Sequence, residues 1–144
     1  MFESIRALAA ALTGGGAAPD FDDTDYRVAA AAMFVHVAEA DGHVVEAERQ
    51  RMRALVSSRF GLDAAATARL LAQGERSEHE AADPFQFASA LRRALDPEGR
   101  RKIVAMLRDI AGADGETHEF EDDYISRVAE LLDVAGEETR QARP

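Results

Sequence analysis

Residues 33–42 read Met33-Phe34-Val35-His36-Val37-Ala38-Glu39-Ala40-Asp41-Gly42, and residues 106–115 read Met106-Leu107-Arg108-Asp109-Ile110-Ala111-Gly112-Ala113-Asp114-Gly115. The two stretches align at an offset of 73 residues. Met33-Phe34 falls on Met106-Leu107, Val37-Ala38 on Ile110-Ala111, and Ala40-Asp41-Gly42 on Ala113-Asp114-Gly115. The match continues downstream, where Glu46 and Glu48 fall on Glu119 and Glu121, and Met52 and Leu55 on Ile125 and Val128. The shared unit is an apolar helix, an Ala-Asp-Gly stop, a Glu seven residues after the Asp, and a second apolar helix. Gly just past a helix readily takes the left-handed conformation that ends it. Two copies are too few for a solenoid, so the reading is two helix–turn–helix halves packed about a pseudo-two-fold axis.

The composition outside the repeat agrees. The chain has 144 residues, one domain's worth. At that length a chain buries about 68–70% of the surface its unfolded form exposes, so no metal or disulfide is needed for folding. There are 30 Ala against 18 Val, Ile and Thr together; the best helix former is abundant and strand formers are scarce. The fold class is therefore all-α. With no Cys, disulfides, thiolate metal sites and Cys nucleophiles are excluded. Lys+Arg 17 against Asp+Glu 27 gives a net charge of −10, which disfavours nucleic acid as a partner. No apolar run approaches the roughly 20 residues needed to span a bilayer.

Along the chain, Phe2, Ile5, Leu8 and Leu12 give residues 1–13 an amphipathic helical pattern, with Glu3 arguing against a signal peptide. Residues 14–19 are a Gly/Ala linker, residues 20–136 the main domain, and residues 137–144 a polar tail. The first helix of the domain follows the acidic run Asp20, Asp22, Asp23, Asp25 and carries an apolar stripe of Tyr26, Ala30, Met33, Phe34 and Val37. A second helix is expected over about 45–59, and a third capped by Asp63. The polar stretch from Gly74 to Ala82 reads as a loop or frayed end. Asp83-Pro84 and Asp96-Pro97 each pair an acidic cap with Pro at the first helical position, so each is expected to open a helix. A last helix covers about 118–132, with Tyr124, Ile125, Val128, Leu131 and Leu132 inward. About seven helices result.

The repeated acids carry the chemistry. Asp41 and Asp114 each sit at the negative end of a helix dipole, where a carboxylate is disfavoured by a few tenths to about 1 kcal/mol. Glu48 and Glu121 share a helical face with the inward residues that follow them, so both side chains start from the edge of the core. A carboxylate losing water there needs a cation or hydrogen-bond donors. The spacing from Asp41-Gly42 to Glu48 matches the second half of a calcium-binding EF-hand loop. The earlier ligand positions fall on Val37 and Glu39 in one copy and on Ile110 and Gly112 in the other, so neither copy is a complete calcium loop. If the halves meet on an axis, Asp41, Glu48, Asp114 and Glu121 share one acidic pocket suited to Ca²⁺, Mg²⁺ or Mn²⁺. His43 and His118 would extend the choice to Zn²⁺. The competing view is purely structural: Asp-Gly is an ordinary turn, and each Glu is half of a capping box. The cap positions would be Val45 and His118, neither a favoured cap, so the box is incomplete in both copies.

The pattern Tyr26 to Asp41-Gly42, Glu48, Asp83-Pro84-Phe85, Leu91, Arg100-Arg101, Ala113-Asp114-Gly115 and Glu121 resembles the TerB-like family, named for tellurite-resistance proteins. The resemblance covers roughly residues 20–135. It implies an all-α domain of two related halves, a bacterial stress-related role in the cytoplasm, and acidic motif residues that bind a metal. The sequence has no Gly-x-Ser-x-Gly, phosphate-loop or dinucleotide motif, and its His-Glu pairs lack the second His of a zinc protease. The expected function is thus a non-enzymatic binding module. An alternative is a metal-free scaffold that binds a protein or membrane-associated stress complex through Arg92, Arg93, Arg100 and Arg101; a further one is a metal-dependent hydrolase.

Overall fold

The computed structural model describes residues 21–22, 24–39, 46–113 and 119–134, with no side-chain description for 119–121. These residues form six helices and no strand: α1 (Tyr26–Glu39), α2 (Glu46–Phe60), α3 (Ala64–Glu80), α4 (Ala88–Ala94), α5 (Pro97–Ala111) and α6 (Glu119–Leu131). The expected helix at 1–13, the 14–19 linker and the 137–144 tail lie outside the described residues.

The helix starts follow local chemistry. Asp63 Oδ1 accepts the Ala66 N–H at 2.8 Å to open α3, and Asp96 Oδ1 accepts the Gly99 N–H at 2.8 Å, with Pro97 in the first turn of α5. Ahead of α1, Asp25 Oδ1 accepts the Arg27 N–H at 2.9 Å. Asp83-Pro84 behaves differently from its expectation. Asp83 Oδ1 takes the Phe85 N–H at 2.9 Å, and two further turns follow before α4 begins at Ala88. The acidic cap is used there to close a turn rather than to start a helix.

The expected stripe on α1 also proves too narrow. Every residue from Val28 to Val35 is buried, along with Val37 and Ala38. The reason is position: α2, α3, α4 and α5 all pack against α1, so it has no solvent face between Val28 and Val35. Small side chains make this possible. Ala30, Ala31 and Ala32 are each 0% exposed, and a Cβ added at Gly74 of α3 would fall 2.6 Å from Ala31 Cβ and 2.8 Å from its carbonyl carbon. The backbones of α1 and α3 therefore nearly touch at Gly74.

That contact corrects the loop expected from Gly74 to Ala82. The polar stretch continues α3 to Glu80 because α1 supplies its partners. Gln73 is buried and grips the backbone of Phe21: the Phe21 N–H donates to Gln73 Oε1 at 2.9 Å, and Gln73 Nε2 donates to the Phe21 carbonyl at 2.7 Å. Glu78 and His79 reach His36 and Glu39 on α1.

The first helices of the two repeat units, α1 and α5, pack on each other. Two contacts cross between the units in a reciprocal way. Arg51 of α2 pairs with Asp109 of α5, and Tyr124 of α6 stacks near His36 of α1. Positions 36 and 51 become 109 and 124 under the 73-residue offset. Reciprocal pairing of this kind is what a two-fold relation between halves produces.

Candidate functional site

Of the residues singled out from sequence, Asp41, His43, Asp114 and His118 lie outside the described residues, as does the side chain of Glu121. Glu48 is described and is 0% exposed, turned inward as its spacing with Met52 requires, and engaged within the protein. Glu46, half a turn earlier, keeps a side chain 65% exposed. The arginines divide. Arg92 and Arg93 are exposed, whereas Arg100 donates from Nε to the Leu95 carbonyl and from Nη2 to the Arg92 carbonyl, both at 3.0 Å. Arg100 thus closes the C-terminal end of α4, satisfying carbonyls that the helix leaves open.

The structure assembles a group that sequence reasoning missed. It lies at the C-terminal end of α1, one residue before Ala40-Asp41-Gly42. Glu39 comes from α1; Glu78 and His79 come from the last turn of α3. One ligand atom from each of these three residues lies within 4.8 Å of the others. His79 Nε2 is 3.1 Å from Glu39 Oε2 and 3.5 Å from Glu78 Oε2. The other oxygen of Glu78, Oε1, is 3.0 Å from His36 Nδ1. Among the described residues, these form the one set of three or more His and carboxylate side chains with this spacing.

The surroundings set the electrostatics. The group borders a pocket of about 470 Å³ whose wall is made by Phe85 and Tyr124, with Asp123 on the rim. The Phe85 and Tyr124 rings stack at 5.2 Å, and the His36 and Tyr124 rings lie 4.3 Å apart. Tyr124 donates its hydroxyl to the Pro84 carbonyl at 3.1 Å. Burial pushes that hydroxyl well above the usual tyrosine range, and the nearby Glu78 and Asp83 charges add to the effect, so it remains a donor. His79 is shifted upward, chiefly by its hydrogen bond to Glu39; desolvation opposes this, and the charges of Glu39, Glu78 and Glu75 add to the rise. The junction thus favours positive charge at the place where His79 Nε2 points.

A sequence signal for part of this group existed. His36 and Glu39 are three apart on one helix, hence on one face, and Glu39 already fell on an EF-hand ligand position. Glu78 and His79 were hidden because their segment read as a loop.

Among known protein families, the one described as Tellurite resistance protein TerB matches residues 27–144. Among curated proteins and among solved structures, nothing matches the chain. No helix of the described residues is long and apolar enough to cross a membrane.

Proposed function

The chain belongs to the TerB family, and on that premise we propose that it is a stress-associated, non-enzymatic binding module whose ligand is a divalent cation. The cation is taken at the repeated Ala-Asp-Gly…Glu junctions, with Asp41 and Glu48 in the first unit and Asp114 and Glu121 in the second. His43 and His118 stand beside them in sequence.

The observation that supports the reading is the grouping of Glu39, Glu78 and His79 within 4.8 Å at the doorstep of the first Ala-Asp-Gly. Carboxylates already gathered at the negative end of α1 make a poor arrangement for a bare turn, and a divalent ion there offsets both the dipole and the mutual repulsion. The arginine-surface alternative loses one of its four residues to internal work, since Arg100 caps α4.

Calorimetric titration with Ca²⁺, Mn²⁺ and Zn²⁺ tests the reading on the native chain and on an Asp41→Asn/Asp114→Asn double variant. The native chain is expected to bind at least one of these ions below millimolar concentration, and the double variant to bind it at least about tenfold more weakly. Binding of none of the three below millimolar by the native chain overturns it.

A further inference from the structure

We infer that the first junction is a transition-metal site of the Zn²⁺ class, with His79 Nε2, Glu39 and Glu78 as ligands and His36 as a positioning residue behind Glu78. The inference rests on the cation reading above, that the first junction holds a divalent ion, and assigns that ion a metal class and ligands from α1 and α3 beside the Ala-Asp-Gly motif.

The donor set comes first. Ca²⁺ and Mg²⁺ take oxygen ligands, whereas an imidazole nitrogen beside two carboxylates suits Zn²⁺, Ni²⁺ and Co²⁺. Spacing comes second. At zinc–ligand bonds of roughly 2.0–2.2 Å, tetrahedral neighbours stand about 3.4 Å apart. His79 Nε2 lies 3.1 Å from Glu39 Oε2 and 3.5 Å from Glu78 Oε2, so one ion fits between them with small side-chain adjustment. Three protein ligands leave a fourth position to water.

Orientation comes third. Glu78 presents Oε2 to His79 while its Oε1 is held by His36 Nδ1 at 3.0 Å, the outer partner that a ligating carboxylate commonly has. His36 is fixed in turn by the Tyr124 ring at 4.3 Å. The side chains of Glu78 and Glu39 are 17% and 28% exposed, and that of His79 is 55% exposed, which leaves an open approach on the imidazole side.

Among the described residues, the second unit carries no such set. Under the repeat offset His36 becomes Asp109 and Glu39 becomes Gly112, while Glu78 and His79 sit on α3, outside the repeated unit. Among the described residues the set therefore occurs once, although the acidic motif occurs twice in the sequence.

The test uses the whole chain, stripped with a chelator and titrated calorimetrically with Zn²⁺ and separately with Ca²⁺, with Co²⁺ absorption reporting nitrogen ligation. The native chain is expected to take one Zn²⁺ at least about 100-fold more tightly than Ca²⁺, and His79→Ala to weaken Zn²⁺ by about tenfold or more without changing Ca²⁺. His79 is exposed, so this variant folds. His36→Ala is expected to weaken Zn²⁺ by about tenfold, and His36→Asn, which keeps a donor near the Nδ1 position, to restore most of it. Unchanged Zn²⁺ affinity in His79→Ala overturns the inference. If Asp41→Asn/Asp114→Asn loses both ions while His79→Ala loses neither, the cation reading stands and this inference falls. If the native chain binds no divalent ion below millimolar, both fall.

Discussion

The two contacts that cross between the repeat units occupy equivalent positions and do opposite things. Arg51 and Asp109 form a two-pronged ion pair, 2.8 and 2.7 Å, between side chains 47% and 40% exposed. Their counterparts, Tyr124 and His36, meet ring to ring beside a pocket, with Tyr124 buried and His36 committed to Glu78. One crossing staples two helices at the surface. The other builds a wall and aims a carboxylate. The difference is made by what lies next to each. α3 packs along α1 and sets Glu78 and His79 beside the His36–Tyr124 contact, whereas the Arg51–Asp109 pair joins α2 and α5 directly. The crossing that borders the pocket is thus the one against which α3 leans.

The sharpest way to break the contrast is to remove the ring. Tyr124→Ala deletes a side chain 6% exposed, with its contacts to His36 and Phe85 and its bond to Pro84. It is expected to cost about 4 kcal/mol, read from denaturant unfolding. Arg51→Ala is expected to fall far short of that; equal losses would mean that the two crossings are energetically alike. Next is Gly74→Ala, which pushes α3 away from α1. With Ala31 at 2.6–2.8 Å and no flexible side chain to give way, the expected loss is about 3 kcal/mol. A neutral or stabilising result would show that the close approach is not needed.

Smaller effects sharpen the polar crossing. Arg51 beside Asp109 holds that carboxyl below its usual range. A group whose folded value is lowered contributes above its unfolded value and loses the contribution as pH falls through the folded one. Native chain minus Asp109→Asn is therefore expected to give about 0.5–1 kcal/mol at neutral pH, shrinking in acid and in high salt. A difference independent of pH would assign the effect to something other than the pair. The smallest effect belongs to His79, whose shift is upward and comes mainly from Glu39. Any stability it adds is complete below the ordinary histidine range and disappears as pH rises through the folded value. Nuclear magnetic resonance titration of its ring is expected to give a value above the usual one in the metal-free chain, moving back toward it in Glu39→Gln.

Much of the fold was legible because short-range chemistry decides it. Asp63 and Asp96-Pro97 cap the helices they were expected to cap, and Met33, Phe34, Val37, Ile103, Leu107, Ile110, Ile125 and Val128 are core. The duplicated motif pointed to an all-helical domain, and the helices and the family match agree. The misreadings fall where distant residues override local preference. Gly74 looks like a breaker until Ala31 lies against it, and Glu75 to Glu80 look like a loop until His36 and Glu39 receive them. Asp83-Pro84 has a helix-opening pattern, yet the side chain closes on the Phe85 N–H and the helix waits until Ala88. The Glu39–Glu78–His79 group was missed for the same reason: part of it lies on the stretch read as irregular. Glu48 was legible in its burial, since helical spacing alone turns it inward.

The near-contact of backbones at Gly74 also determines how the junction meets whatever enters it. Glu78 lies one turn beyond Gly74, and Glu39 two turns beyond Ala31, on two rods locked side by side. The aperture between their carboxylates is consequently machined during folding, before any visitor arrives. On the cation reading proposed above, an ion of matching radius would meet jaws already at the correct gauge, and a larger one would have to pry apart two closely fitted helices.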